Sequence, residues 1–174
     1  MYIYRENTNP VNYYPMEKKE GKILAIDDNE DILFALKLLL KNHVEKVHTE
    51  TSPEGIPKLM KEENFDVILL DMNFTKDAIS GQEGFDSLYK ILEIDRDALV
   101  VFITAYGDME LAVKAMREGA TDFVQKPWDD EKFITTIQNA YKIRSSRKEI
   151  SHLKEKQKHL MDDISDQFPD IIGK

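Results

Sequence analysis

The sequence contains no cysteine. Disulfides, a thiol nucleophile and thiolate-ligated zinc are therefore excluded, and a reducing compartment is compatible. Long apolar runs are also missing. The longest covers six residues, 98–103, far short of the length needed to cross a bilayer. The first residues lack the basic-then-apolar layout of a secretory signal. Basic residues are in the minority: 24 Lys and Arg stand against 33 Asp and Glu, a formal charge of −9. That balance argues against the whole chain wrapping nucleic acid. These absences together predict a soluble, cytoplasmic, acidic protein. Its 174 residues, 41% of them hydrophobic, suffice for one ordinary domain with appendages or for two very small ones.

Residues 1–20 hold four of the seven tyrosines (Tyr2, Tyr4, Tyr13, Tyr14) together with Pro10 and Pro15, and show little periodicity. They read as a flexible leader or as an arm that docks its aromatics on a neighbour. From Lys22 short apolar runs alternate with amphipathic stretches. The runs are 23–26, a weaker one around Val47, 67–70, 99–103 and 122–124. Between them, apolar residues recur at three- and four-residue steps: Ile32, Leu33, Leu36, Leu39 and Leu40; Ile56, Leu59 and Met60; Phe85, Leu88, Ile91 and Leu92; Leu111, Ala112, Ala115 and Met116. Short apolar strands without alternation belong to a parallel sheet covered on both faces. Five strand–helix repeats predict one doubly wound α/β domain with a five-stranded parallel sheet over residues 21–143.

Neither proline nor glycine occurs between Trp128 and Phe168. Acids at 129–131 suit a helix N-terminus, and a helix from Asp130 to Ser165 would be about 54 Å long, too long for one small domain to cover. Past Tyr141 its apolar face narrows to two ladders with a seven-residue period. Ile143, Ile150, Gln157 and Ile164 form one, and Leu153 and Leu160 the other. This pattern predicts an extended C-terminal linker helix over 144–166 that pairs two copies as a coiled coil, with Gln157 setting register. A solvated helix whose few apolar residues cover the parent domain is the alternative. Residues 144–158 carry six basic side chains against two acidic ones, a net +4 that leaves −13 elsewhere. Solvated flanks of a coil account for them.

In an open parallel sheet, ligands bind beyond the C-terminal ends of the strands. The residues just past the apolar runs are Asp27 and Asp28, then Asp71, Thr104, and finally Lys126 with Pro127. Three crowded carboxylates stay ionised only if something positive joins them. A hard divalent ion such as Mg²⁺ fits that role, binding carboxylates, water and phosphate oxygens. A threonine hydroxyl and a lysine ammonium on the same rim can hold an oxyanion. The set suits phosphoryl transfer onto a carboxylate, with Asp71 as the nucleophile.

These residues lie in the stretches Leu24-Ala25-Ile26-Asp27-Asp28, Val67-Ile68-Leu69-Leu70-Asp71, Val101-Phe102-Ile103-Thr104-Ala105-Tyr106-Gly107-Asp108 and Gly119-Ala120-Thr121-Asp122-Phe123-Val124-Gln125-Lys126-Pro127. With them the sequence resembles the response-regulator receiver domains of two-component signalling. The resemblance implies a flavodoxin-like sheet of order 2-1-3-4-5 and a phosphoacceptor signalling module rather than an enzyme acting on a separate substrate. It makes Asp71 the phosphoacceptor and a sensor histidine kinase the partner. Mg²⁺ or Mn²⁺ would be held by Asp27, Asp28, Asp71 and the Asn73 carbonyl. Thr104 and Lys126 would bind the phosphoryl group, Phe123 would be the switch aromatic, Asn73 and Tyr106 would tune dephosphorylation, and the Lys126–Pro127 peptide would be cis. A homodimer through the linker helix, alone or together with the receiver face, would carry the output.

One stretch departs from the family pattern. From Met72 to Gly84 the chain is longer than usual and lacks the customary proline, which predicts a loop partly covering the acidic pocket. Residues 167–174 resemble the lead-in to the ATPase domain of nitrogen-regulatory σ54-dependent activators. The chain then reads as receiver plus linker of a longer regulator, in which contacts to DNA and σ54 polymerase fall to domains absent here, with no part for a membrane. Two rivals remain. Asp71-Met72-Asn73-Phe74-Thr75 imitates the motif of haloacid-dehalogenase-type phosphatases, but Asn73 stands where their general acid should be. The chain could also be a dimerisation spacer with an inactive receiver. His43, His48, His152 and His159 are dispersed and read as no ligand set.

Overall fold

In the computed structural model, residues 19–74 and 81–167 are described. Residues 1–18 of the leader, the middle of the 72–84 stretch and residues 168–174 lie outside them, and so do the expectations placed there. Strands β1 (Lys22–Ile26), β2 (Lys46–Glu50), β3 (Val67–Asp71), β4 (Val100–Thr104) and β5 (Asp122–Gln125) alternate with helices α1 (Glu30–Leu40), α2 (Ile56–Glu62), α3 (Gln82–Ile94), α4 (Met109–Arg117) and α5 (Asp130–Gln167). The sheet runs β2-β1-β3-β4-β5 with every neighbouring pair parallel, the predicted order.

The apolar runs do not alternate because both sheet faces are covered. All five residues of β3 and of β4 are buried. Leu24, Ile26, Ile68, Leu70, Val100 and Phe102 point to one side and pack with Ile56, Phe85, Leu88, Ile91 and Ala115 of α2, α3 and α4. Their neighbours Ile23, Ala25, Val67, Leu69, Val101 and Ile103 point to the other side, against Leu33, Leu36 and Leu40 of α1 and Phe133, Ile137 and Ala140 of α5. The period of two along each strand thus builds two cores from one sheet. At the edge, β2 (Lys-Val-His-Thr-Glu) is only partly covered, which is why its sequence signal is weak.

Helix starts follow local chemistry. The Asn29 side chain accepts hydrogen bonds from the Asp31 and Ile32 amides and caps α1. Helix α3 begins at Gln82 after Gly81, whose φ of 66° suits glycine. Its first turn lies against the chain leaving β3: a Cβ at Gly84 would sit 2.7 Å from the Met72 carbonyl oxygen. Glycine is required there by close approach.

Helix α5 has 38 residues, about 57 Å at the standard rise. Its buried residues are Phe133, Ile137 and Ala140. Beyond them Ile143, Ile150, Leu153, Leu160, Met161 and Ile164 are all exposed. Contacts with the domain continue past residue 143. Arg144 donates to the Asp97 carbonyl at 2.8 Å and pairs with the Asp95 carboxylate, while Lys148 reaches Asp66. Arg147 stands 4.0 Å from the Asp97 carboxylate. Solvation therefore does not account for the first half of the basic run; these three side chains tie the helix to the acidic base of the sheet.

Candidate functional site

Four strands end on one rim. Asp27 and Asp28 leave β1, Asp71 closes β3, Thr104 closes β4, and Lys126 follows β5. Backbone pairing holds these ends level: the Lys126 amide donates to the Thr104 carbonyl at 2.7 Å and the Met72 amide to the Ile103 carbonyl at 2.9 Å. Asp27, Asp71 and Thr104 are buried, each at most 4% exposed. One carboxylate oxygen from each of Asp27, Asp28 and Asp71 lies within 4.8 Å of the others. The Lys126 ammonium bridges two of them, donating to Asp27 at 2.8 Å and to Asp71 at 2.9 Å. The second Asp27 oxygen accepts from the Asn29 amide at 2.9 Å.

Burial pushes the Asp71 carboxyl up, to about 6. The Lys126 hydrogen bond pulls it back, and the charges of Asp27 and Asp28 push it further up. Burial by itself would lower the Lys126 ammonium, but hydrogen bonds to Asp27 and Asp71 outweigh it and leave the lysine above its ordinary value. The three carboxylates and the Lys126 ammonium sum to a formal charge of −2 when all are ionised, equal and opposite to one divalent cation. Oxygen donors alone, partly buried, make the set fit a hard ion.

The Thr104 hydroxyl reaches the Val124 carbonyl only at 3.5 Å, the limit of a hydrogen bond, and is held weakly. Phe123 is half-buried and packs against the core shared with α3 and α4. Tyr106 is 86% exposed and is not drawn into the cluster. The Lys126–Pro127 peptide is cis. Beside the carboxylates an open groove of about 390 Å³ runs between the turn after β2 and α3, lined by Asp28, Ser52, Phe74, Glu83, Ser87 and Lys90. Asp108 was given no role by the sequence. Its carboxylate accepts from Asn73 Nδ2 at 2.8 Å, and the Asn73 Oδ1 atom is buried with no hydrogen-bond partner among the described residues. Asp108 stands just before α4, and its side chain makes no cap hydrogen bond there.

Residues 23–138 match the family described as the response regulator receiver domain. The chain belongs to that family. Among solved structures, this receiver resembles the N-terminal signal receiver domain of a two-component response regulator from Bacteroides fragilis, with 48% identity, a TM-score of 0.65, and coverage of 70% of this chain and 97% of that one. NtrX from Brucella abortus matches with 25% identity and a TM-score of 0.69, over 77% of this chain and 30% of its own. Among curated proteins, the phosphoglycerate transport system transcriptional regulatory protein PgtA of Salmonella typhimurium is 31% identical over 75% of this chain, and the regulatory protein AtoC of Escherichia coli is 28% identical over 76%. The receiver spans only 30% and 28% of those two proteins' lengths. Among the described residues, no helix is long and apolar enough to cross a membrane.

Proposed function

We propose that Asp71 is the phosphoacceptor of this receiver and takes its phosphoryl group from a sensor histidine kinase or a small acyl phosphate. The observation carrying this reading is the meeting of three carboxylates within 4.8 Å under a single ammonium. Asp27, Asp28 and Asp71, with the Asn73 main-chain carbonyl, would hold Mg²⁺, or Mn²⁺ in its place. When bound, the ion supplies the positive charge that lets an acidic pocket admit a phosphoryl group. Lys126, kept charged by its two carboxylate partners, provides the second cation for the phosphoryl oxygens. Thr104, weakly held at 3.5 Å, is free to turn its hydroxyl toward those oxygens. Phe123, half-buried at the edge of the core, then repacks into the space that Thr104 leaves.

The output runs through α5. Two copies of the linker, residues 144–166, pair by Ile143, Ile150, Leu153, Gln157, Leu160 and Ile164, and the receiver face around α4 and β5 biases the pairing. The exposed apolar ladder on a helix with no buried residue past Ala140 supports this. The receiver occupies residues 21–143, residues 1–20 are a leader, and 167–174 lead into an ATPase domain of a σ54-dependent activator. In that larger regulator, contacts to DNA and to σ54 polymerase belong to further domains. The similarity to the transcriptional regulatory protein PgtA and the regulatory protein AtoC, of which this chain spans 30% and 28%, supports that reading. Phosphorylation acts only through its different affinity for two arrangements of the pair.

The test is the sedimentation coefficient of the chain with and without beryllofluoride plus Mg²⁺. Wild type shifts between monomer and dimer, or between two dimer shapes, and Asp71→Asn does not. A variant that responds like wild type contradicts the proposal.

A further inference from the structure

Asp108 stands immediately before α4, where a carboxylate ordinarily accepts from an amide of the first turn. Asn29 does this at α1, with an extended backbone at ψ 109°. Asp108 has φ −87° and ψ 29°, and its side chain accepts nothing from α4. Its partner is Asn73, 35 positions earlier, whose Nδ2 donates to Asp108 Oδ2 at 2.8 Å.

A carboxylate can only accept, so the Asn73 amide must turn its nitrogen toward Asp108. The direction of its oxygen is thereby fixed. Asn73 Oδ1 is buried and no donor among the described residues reaches it. A buried amide oxygen in that state carries its full desolvation penalty, and the ordinary remedy is water. Asn73 lies two residues beyond Asp71, on the segment that leaves β3 from the acidic cluster.

We propose that Asp108 is a positioning residue for the hydrolysis of phospho-Asp71: it holds the Asn73 amide so that Oδ1 orients the attacking water. This rests on the reading of Asp71 as the phosphoacceptor. In the step, the water oxygen bonds to phosphorus and the bond from phosphorus to the Asp71 oxygen breaks. Its electron pair returns to the carboxylate, and both water hydrogens depart with the product, dihydrogen phosphate. Oδ1 accepts a hydrogen bond from one of those hydrogens and takes no proton, since a neutral amide is not a base. Asp108 touches neither phosphorus nor water and acts through Asn73.

The experiment follows the first-order decay of acetyl-phosphate-labelled full chain in Mg²⁺ after the donor is removed. Asp108→Ser keeps a residue suited to a helix start while withdrawing the carboxylate. It is expected to slow decay about fivefold, the scale of one lost orienting hydrogen bond. Asn73→Ala slows decay to the same extent, and the double variant slows it no further. Asp108→Asn, whose own amide oxygen still accepts from Asn73, decays within about twofold of wild type. A merely structural role would move the melting temperature of Asp108→Ser and leave its decay at the wild-type rate. That result, or an effect that adds to Asn73→Ala, overturns the proposal. Wild type that takes no label on Asp71 overturns the phosphoacceptor reading itself and this proposal with it.

Discussion

The Asp71 carboxyl is pushed up to about 6 because burial and two neighbouring carboxylates disfavour its charge more than Lys126 favours it. In the unfolded chain it titrates near its ordinary value of about 4. Between these values the folded state holds a proton that the unfolded state has lost, so this group's contribution to stability is present below about pH 4 and falls as the pH rises to about 6. In chelator, urea unfolding of wild type and Asp71→Asn should therefore diverge across that window, with the variant gaining on the order of 2–3 kcal/mol and the gap constant above it. A difference that does not change with pH would contradict this origin of the shift. The site's five principal residues were legible in the sequence because each follows an apolar run, and a parallel sheet brings strand ends to one rim. Asp108 was not legible. Its partner is 35 residues away, and its local position imitates a cap it does not make.

Among the elements, the strands were readable because non-alternating apolar runs mean two covered faces, while their order followed from the resemblance to receiver domains. The partly exposed edge strand β2 was the faintest for the same reason. Helix α5 was readable in length from the missing Pro and Gly, but its attachment was not. The base of the sheet supplies Asp66, Asp95 and Asp97 from two loops, and nothing local marks them as partners of Arg144, Arg147 and Lys148. The Arg144 side chain is only 11% exposed and spans the loop between α3 and β4, donating to the Asp97 carbonyl and the Asp95 carboxylate. Replacing it with alanine removes two hydrogen bonds from a partly buried loop and should cost about 1–2 kcal/mol in chemical unfolding. Amide exchange at residues 144–150 should accelerate in the same variant. An unchanged exchange pattern would show that the helix holds its line without the clasp.

On the scale of the whole molecule, charge separates two regions. The rim holds Asp27, Asp28 and Asp71 and the base of the sheet Asp66, Asp95 and Asp97, while the linker carries a basic excess, part of which folds back onto the base. Helix α5 is rooted in the domain by Phe133, Ile137 and Ala140 and clasped by Arg144, and its exposed apolar ladder is the surface proposed to pair. The proposed switch depends on the chemistry of one carboxylate, Asp71. The most direct measurement is to expose the chain to acetyl phosphate with Mg²⁺ or with chelator, trap the acyl phosphate by borohydride reduction, and map the modified residue by mass spectrometry. Modification at Asp71, present with Mg²⁺, lost in chelator and absent from Asp71→Asn, is the predicted result. Labelling elsewhere, or labelling of Asp71 that is indifferent to the metal, would contradict it.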